Sequence, residues 1–151
     1  MTTLTLDAAT TIIDVALAAG RKAKLGALTV VVLDPGGHVV ALKREDGSSI
    51  LRPEIAMGKA WGALGMGMSS RAIQDRLGAR PVFLGALATA SGGRMIPVPG
   101  GVLVKDERGA IIGAVGVTGD TSDADEYCAI AGIDAAGLSA EPAEPQTNWA
   151  G

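Results

Sequence analysis

Aromatic side chains are scarce in this chain of 151 residues, which has two Trp, one Tyr and one Phe. Its apolar content, 48% of the sequence, therefore rests on Ala, Val, Leu and Ile, beside 22 glycines. Small side chains each bury little area, so we expect subunit contacts to add stability and the chain to form a homo-oligomer. Cysteine occurs once, at Cys128, which excludes an internal disulfide and gives no zinc-ligand spacing. Histidine occurs once, at His38, so no Ser-His-Asp or Cys-His set is available. Basic runs are absent and the net charge is −3, which removes the electrostatic footprint of a nucleic-acid binder. Apolar runs fall far short of a membrane span. The start, "MTTLTLDAATTIID", lacks the basic and apolar regions of a signal peptide. These absences point to a cytoplasmic protein with no nucleic-acid or membrane partner.

What is present is strong local punctuation. Thr5 as N-cap, Asp7 in the first turn and Arg21, Lys22 and Lys24 near the end predict a helix over 5–24, with Gly26 just beyond it. "VVVLDPGGHVVAL", residues 30–42, predicts a hairpin turning at Asp34–Gly37. The same pattern returns at 102–114, "VLVKDERGAIIGA", so a second hairpin is expected there. The residue matching His38 in the second copy is Ala110, so the repeat reflects turn mechanics and not duplicated chemistry.

Helices are predicted from about Arg52 to Met66, from Ser69 or Ser70 to Leu77, over 81–90, and from Thr121 or Ser122 to about Ala136. Gly58, Gly62 and Gly65 mark a closely packing face of the first of these. Met95–Val98 is expected as a short strand. The domain is expected to span 1–138, and "SAEPAEPQTNWAG", 139–151, to be a tail whose Trp149 docks on a neighbour. Hairpins interleaved with helices give an α+β sheet layered against helices.

The hairpin "VVVLDPGGHVVALKREDG", the helix "EIAMGKAWGA" and the run "GGRMIPVPGGVLVKDERGAIIGAVGVTGDTSDADEYCAIAGIDA" resemble the GlcG/HbpS-like family, also found as the C-terminal domain of PduO-type proteins. The resemblance covers roughly 3–138. It implies a profilin- or PAS-like antiparallel sheet of about five strands flanked by helices, an oligomer, and binding of haem or iron, in some members for redox sensing. In PduO-type domains it implies a haem histidine on the first helix, where residues 5–24 here hold none.

Candidate chemistry centres on the corner "GGRMIPVPGG". Arg94 suits a bidentate carboxylate contact, and Pro99 stiffens the backbone. Free N–H groups at Gly100 and Gly101 are expected to face an anion. Gly116 and Thr118 on the neighbouring strand complete a pocket with the start of the last helix. It would take a small carboxylate or the propionates of a tetrapyrrole. His38, Asp120 and Asp125 are the metal candidates, although turn exposure explains the first and helix capping the other two equally well. Met57, Met66, Met68, Met95, Tyr127 and Cys128 are weaker ligands, the methionines serving equally as core filler.

The leading expectation is a small-molecule-binding protein with haem as its cofactor. The alternative is an enzyme without an organic cofactor, acting on a small organic acid or carbonyl compound. There Lys59, Asp123 and Glu126 move protons, while Arg94 and the Gly100–Gly101 amides hold the carboxylate or oxyanion. A structural assembly module is the third class.

Overall fold

The computed structural model describes residues 2–151, so Met1 of the expected domain lies outside the described residues. Helix α1, Leu6–Lys22, starts where Thr5 Oγ1 accepts the Ala8 N–H at 3.1 Å. It stops earlier than the charge pattern predicts. Lys24 takes the left-handed turn, with φ of 60°. Gly26 is not the cap; it donates its N–H to Asp120 Oδ2 at 2.8 Å, tying this loop to the approach to the last helix.

Strands β1, Thr29–Leu33, and β2, Val39–Arg44, form the first hairpin; β3, Gly101–Lys105, and β4, Ile111–Thr118, form the second. Both turns use one device. Asp34 Oδ1 accepts from the N–H groups of Gly36 and His38, and Asp106 Oδ1 from those of Arg108 and Ala110. Gly37 and Gly109 supply φ of 83° and 79°.

The five-stranded antiparallel sheet runs β2-β1-β4-β3-β5, where β5 is Ser139–Glu141. The expected tail thus begins with an edge strand paired to β3. Its polar sequence gives no strand signal; the pairing comes from the open edge beside it. The strand expected at Met95–Val98 does not form. Ile96 donates its N–H to the Gly58 carbonyl at 3.2 Å, so this segment is tied to a helix and not to the sheet.

Helices α2, Arg52–Met66, α3, Ser70–Leu77, α4, Pro81–Ala90, and α5, Ser122–Ala135, complete the chain. Alternation along the strands splits the core. Val30, Val32, Val115 and Val117 pack on Ile12 and Ile13 of α1 and on Cys128 and Ile133 of α5. Val31, Leu33, Leu103 and Ala114 pack on Ala56, Ala60 and Ala63 of α2. The sheet is therefore sandwiched between α1 with α5 on one face and α2 on the other, with the start of α3 beside β3, the α+β arrangement expected. No helix among the described residues is long and apolar enough to cross a membrane.

Candidate functional site

Helix α2 has two working faces. Its outer face walls a cleft of about 500 Å³ with Leu51, Glu54, Met57 and Trp61. The hairpin tip at Gly37 and the segment Gly92–Arg94 with Ile96 close the other sides. Gly58 and Gly62 let that segment lie against the helix: a Cβ at Gly62 would meet the Met95 side chain at 2.6 Å. Gly65, expected on the same close-packed face, has only the Trp61 ring nearby at 3.7 Å.

Arg94 places its guanidinium 3.8 Å from the centre of the Trp61 ring. Its Nε donates to the Ser91 carbonyl at 2.9 Å, fixing the plane of the group. A cation held over indole in this way is stabilised by about 0.5–2 kcal/mol. A half-buried indole and an exposed guanidinium thus form one oriented wall: an aromatic face topped by a positive charge. Gly37 leaves room for the indole; a Cβ there would meet the Trp61 ring at 2.9 Å.

The inner face of α2 rests on the sheet, and here the glycine-proline corner has a different use from the one expected. Pro99, Gly100, Gly101, Gly116 and Thr118 are buried, and none of them lines the cleft. The N–H of Gly101 is not a free donor. It bonds Ser70 Oγ at 2.7 Å, because α3 begins directly against this strand. A Cβ on Gly100 would lie 2.8 Å from Lys59 Nζ. The missing side chain is what lets Lys59 pass the end of the sheet.

Lys59 is 2% exposed. Its ammonium donates to the Val117 carbonyl at 2.9 Å and to Asp125 Oδ2 at 3.1 Å. Asp125, 1% exposed, accepts the Asp120 N–H on its other oxygen at 3.0 Å. The bridge therefore joins α2 on one face of the sheet to α5 on the other. Burial outweighs attraction for both partners. It pushes Asp125 up to about 6 and pulls Lys59 below its ordinary value, against the charge of its partner in each case.

Glu126, wholly buried, is held by Arg71 of α3, whose Nε lies 3.1 Å from both carboxylate oxygens and whose Nη2 also contacts Oε1. Burial raises the Glu126 pKa despite this partner. Asp123 lines a separate small cleft beside Trp149. Lys59, Asp123 and Glu126 are thus not brought together with Arg94 around one space. Thr118 Oγ1 accepts from Arg52 at 2.8 Å.

Of the metal candidates, Asp120 and Asp125 are neighbours, while His38 stands at the other end of β1. Asp120 accepts N–H bonds from Gly26 and Thr121, which hold its pKa below the ordinary range. His38 is exposed at the hairpin turn, 3.3 Å from Asp34, next to the cleft-lining Gly37. Among the described residues no three His, Cys, Asp or Glu side chains converge to hold a metal ion. Buried Cys128 has its thiol pushed up to about 12 by burial.

Sequence reasoning missed Trp61 and Arg71. Trp61 carried a signal: a large aromatic in a chain with so few, set among small residues of an amphipathic helix. Arg71 carried none, since its partner lies on another helix.

A family model described as "Haem degrading protein HbpS-like" matches residues 4–134. The structure of HbpS is 30% identical over 89% of this chain and 90% of its own, with a TM-score of 0.75. A double mutant of HbpS from Streptomyces reticuli is 29% identical over 89% of this chain and 87% of its own, also at 0.75. A complex of PduOC with haem covers 91% of this chain and 98% of its own, at 21% identity and a TM-score of 0.82; it supports the fold alone. Comparison with curated proteins returns no match.

Proposed function

The chain belongs to the HbpS-like family, and from that premise we propose that it binds haem or a closely related tetrapyrrole in the cleft on the outer face of α2. The observation that carries this reading is the oriented Arg94–Trp61 wall in a mainly apolar cleft. Its volume lies within the range of about 300–1,000 Å³ typical of small-molecule sites. The family is described by haem degradation, and HbpS itself is 30% identical, which supports the ligand class.

The residues present fit such a group. Leu33, Leu51 and Ile96 offer apolar contact, Trp61 a flat face, and Arg94 a partner for a propionate. Met57 in the wall, or His38 beside the mouth, would offer the iron a sulfur or nitrogen donor in place of the first-helix histidine. Haem, when bound, supplies a redox-active iron. The protein's part is to exclude water from the ring faces, orient the carboxylates and set the iron's donors. A role in redox sensing or in support of a catabolic pathway follows from this reading.

Haemin titrated into the purified protein is expected to give a saturable Soret shift. Arg94→Ala should weaken binding about tenfold, the loss of one charge-assisted contact. A spectrum indistinguishable from free haemin sinks the proposal.

A homo-oligomer is part of the same reading. Helix α4 is apolar but for Thr89, yet none of its residues is buried; Val82 is 88% exposed. Such a helix is expected in a subunit contact. Light scattering should report a mass above that of one chain, and Val82→Glu with Phe83→Glu should lower it. A monomeric parent protein at micromolar concentration would refute this.

A further inference from the structure

The outer edge of β3 is covered by the chain's own residues 139–141, which lie beyond the part of the chain matched by the family. Leu103 pairs with Glu141, Val104 with Ala140 and Lys105 with Ser139. Three residues of pairing are marginal by themselves. Three further contacts hold the segment down. Lys105 Nζ meets Glu141 at 3.0 Å in a half-buried pair. Arg71, while gripping Glu126, also donates to the Glu144 carbonyl at 2.9 Å. Trp149 stacks on Tyr127 of α5, ring centres 3.6 Å apart and planes 5° from parallel.

Beneath the segment lies an edge of unusual stickiness. Gly101–Val104 are buried on both faces, so this strand carries no outward charge before Lys105. An uncovered edge of this kind invites another strand. The connection from α5 is short and turns at Gly137, with φ of 74°. Swinging the segment away needs rotation there and loses the contacts just named together with the packing of Ala140 on the core.

We propose that the β3 edge is a strand-accepting site latched shut by the Trp149–Tyr127 stack, and that its alternative occupant is residues 139–151 of a second copy of this chain. The exchanged segment would make every contact that it makes in cis, so the two states differ mainly in entropy and concentration. Tethering favours the closed form while the latch holds. Removing the latch in cis, but not in the incoming segment, tips the balance toward exchange.

The test uses the full chain and a fluorescein-labelled synthetic peptide of residues 139–151. The Trp149→Ala protein is expected to bind the peptide about tenfold more tightly than the wild type does, since the peptide restores the stack that the tethered segment has lost. Hydrogen exchange at the β3 amides facing β5 should rise about tenfold in Trp149→Ala and in Glu141→Lys, with β1 unchanged. Trp149→Phe, which keeps an aromatic face, should resemble the wild type. Equal peptide binding by wild type and Trp149→Ala, or unchanged β3 exchange in both variants, overturns the proposal.

Discussion

Asp125→Ala is expected to lower folding stability by about 3–5 kcal/mol, the usual cost of removing one member of a buried ion pair. The reason is local. Lys59 would keep only the Val117 carbonyl, at 2% exposure, and the Asp120 N–H would lose its acceptor. The pair itself stabilises little, because desolvation opposes it on both sides. Lys59→Met with Asp125→Asn should therefore return close to wild-type stability, the Asn oxygen still serving Asp120. Urea denaturation of the three proteins decides this. A loss below about 1 kcal/mol in Asp125→Ala would contradict the burial described.

The same pair sets a pH dependence with a definite sign. Asp125 holds its proton more tightly in the folded protein, at about 6, than at its ordinary value of 3.8. Its contribution is greatest below about pH 4 and is lost as pH rises through about 6. Lys59, shifted down, contributes fully above its ordinary value and loses that as pH falls through the lowered one. The wild type should gain stability from about pH 7 to about pH 5, and the double variant should gain less. Glu126 and Asp134 are raised as well, so the difference between the proteins is the quantity to read. Asp34, Asp106 and Asp120 are lowered, and their losses fall below this window.

Gly116→Ala carries the second large effect, a loss of about 3 kcal/mol from overpacking. The added methyl would run into the Ala56 carbonyl of α2 and lie 3.2 Å from the Ala60 Cβ. Neither neighbour is the loose end of a flexible side chain, so the helix itself must lift. Met57 and Trp61 ride on that helix, so haemin affinity should fall together with stability. Gly85→Ala in α4 is the matching control. Nothing lies within 4 Å of its would-be Cβ, and a helix-interior alanine should add about 0.5–1 kcal/mol. A Gly116→Ala protein as stable as the wild type would mean that α2 does not rest on the sheet here.

What the sequence made legible is what neighbours in the chain decide. Thr5, Ser69 and Thr121 cap helices as their residue types predict, each accepting an N–H three residues on. The twin hairpins follow from Asp and Gly at matched offsets. Arg94 was legible as a candidate, but its partner Trp61 lies on another element and no local rule couples them. The glycines of the corner were visible, while their purpose was not. A glycine needed for an open ligand site and one needed for a lysine to pass leave the same letter. The edge strand at 139–141 was illegible because its polar residues are recruited by β3 and not by their own propensity.

The strand order also bears on how the chain folds. Each hairpin closes over a short turn, a step of microseconds. The seam between β1 and β4, where Leu33 meets Ala114, joins the two hairpins across everything from β2 to β3. Closing so long a loop costs entropy before its contacts return any energy. That seam also lies beneath α2, through Gly116 and Ala56. Strand pairing and helix docking must then happen together, which makes this junction the natural barrier. Substitutions there should slow folding, while those in α4 should leave its rate untouched.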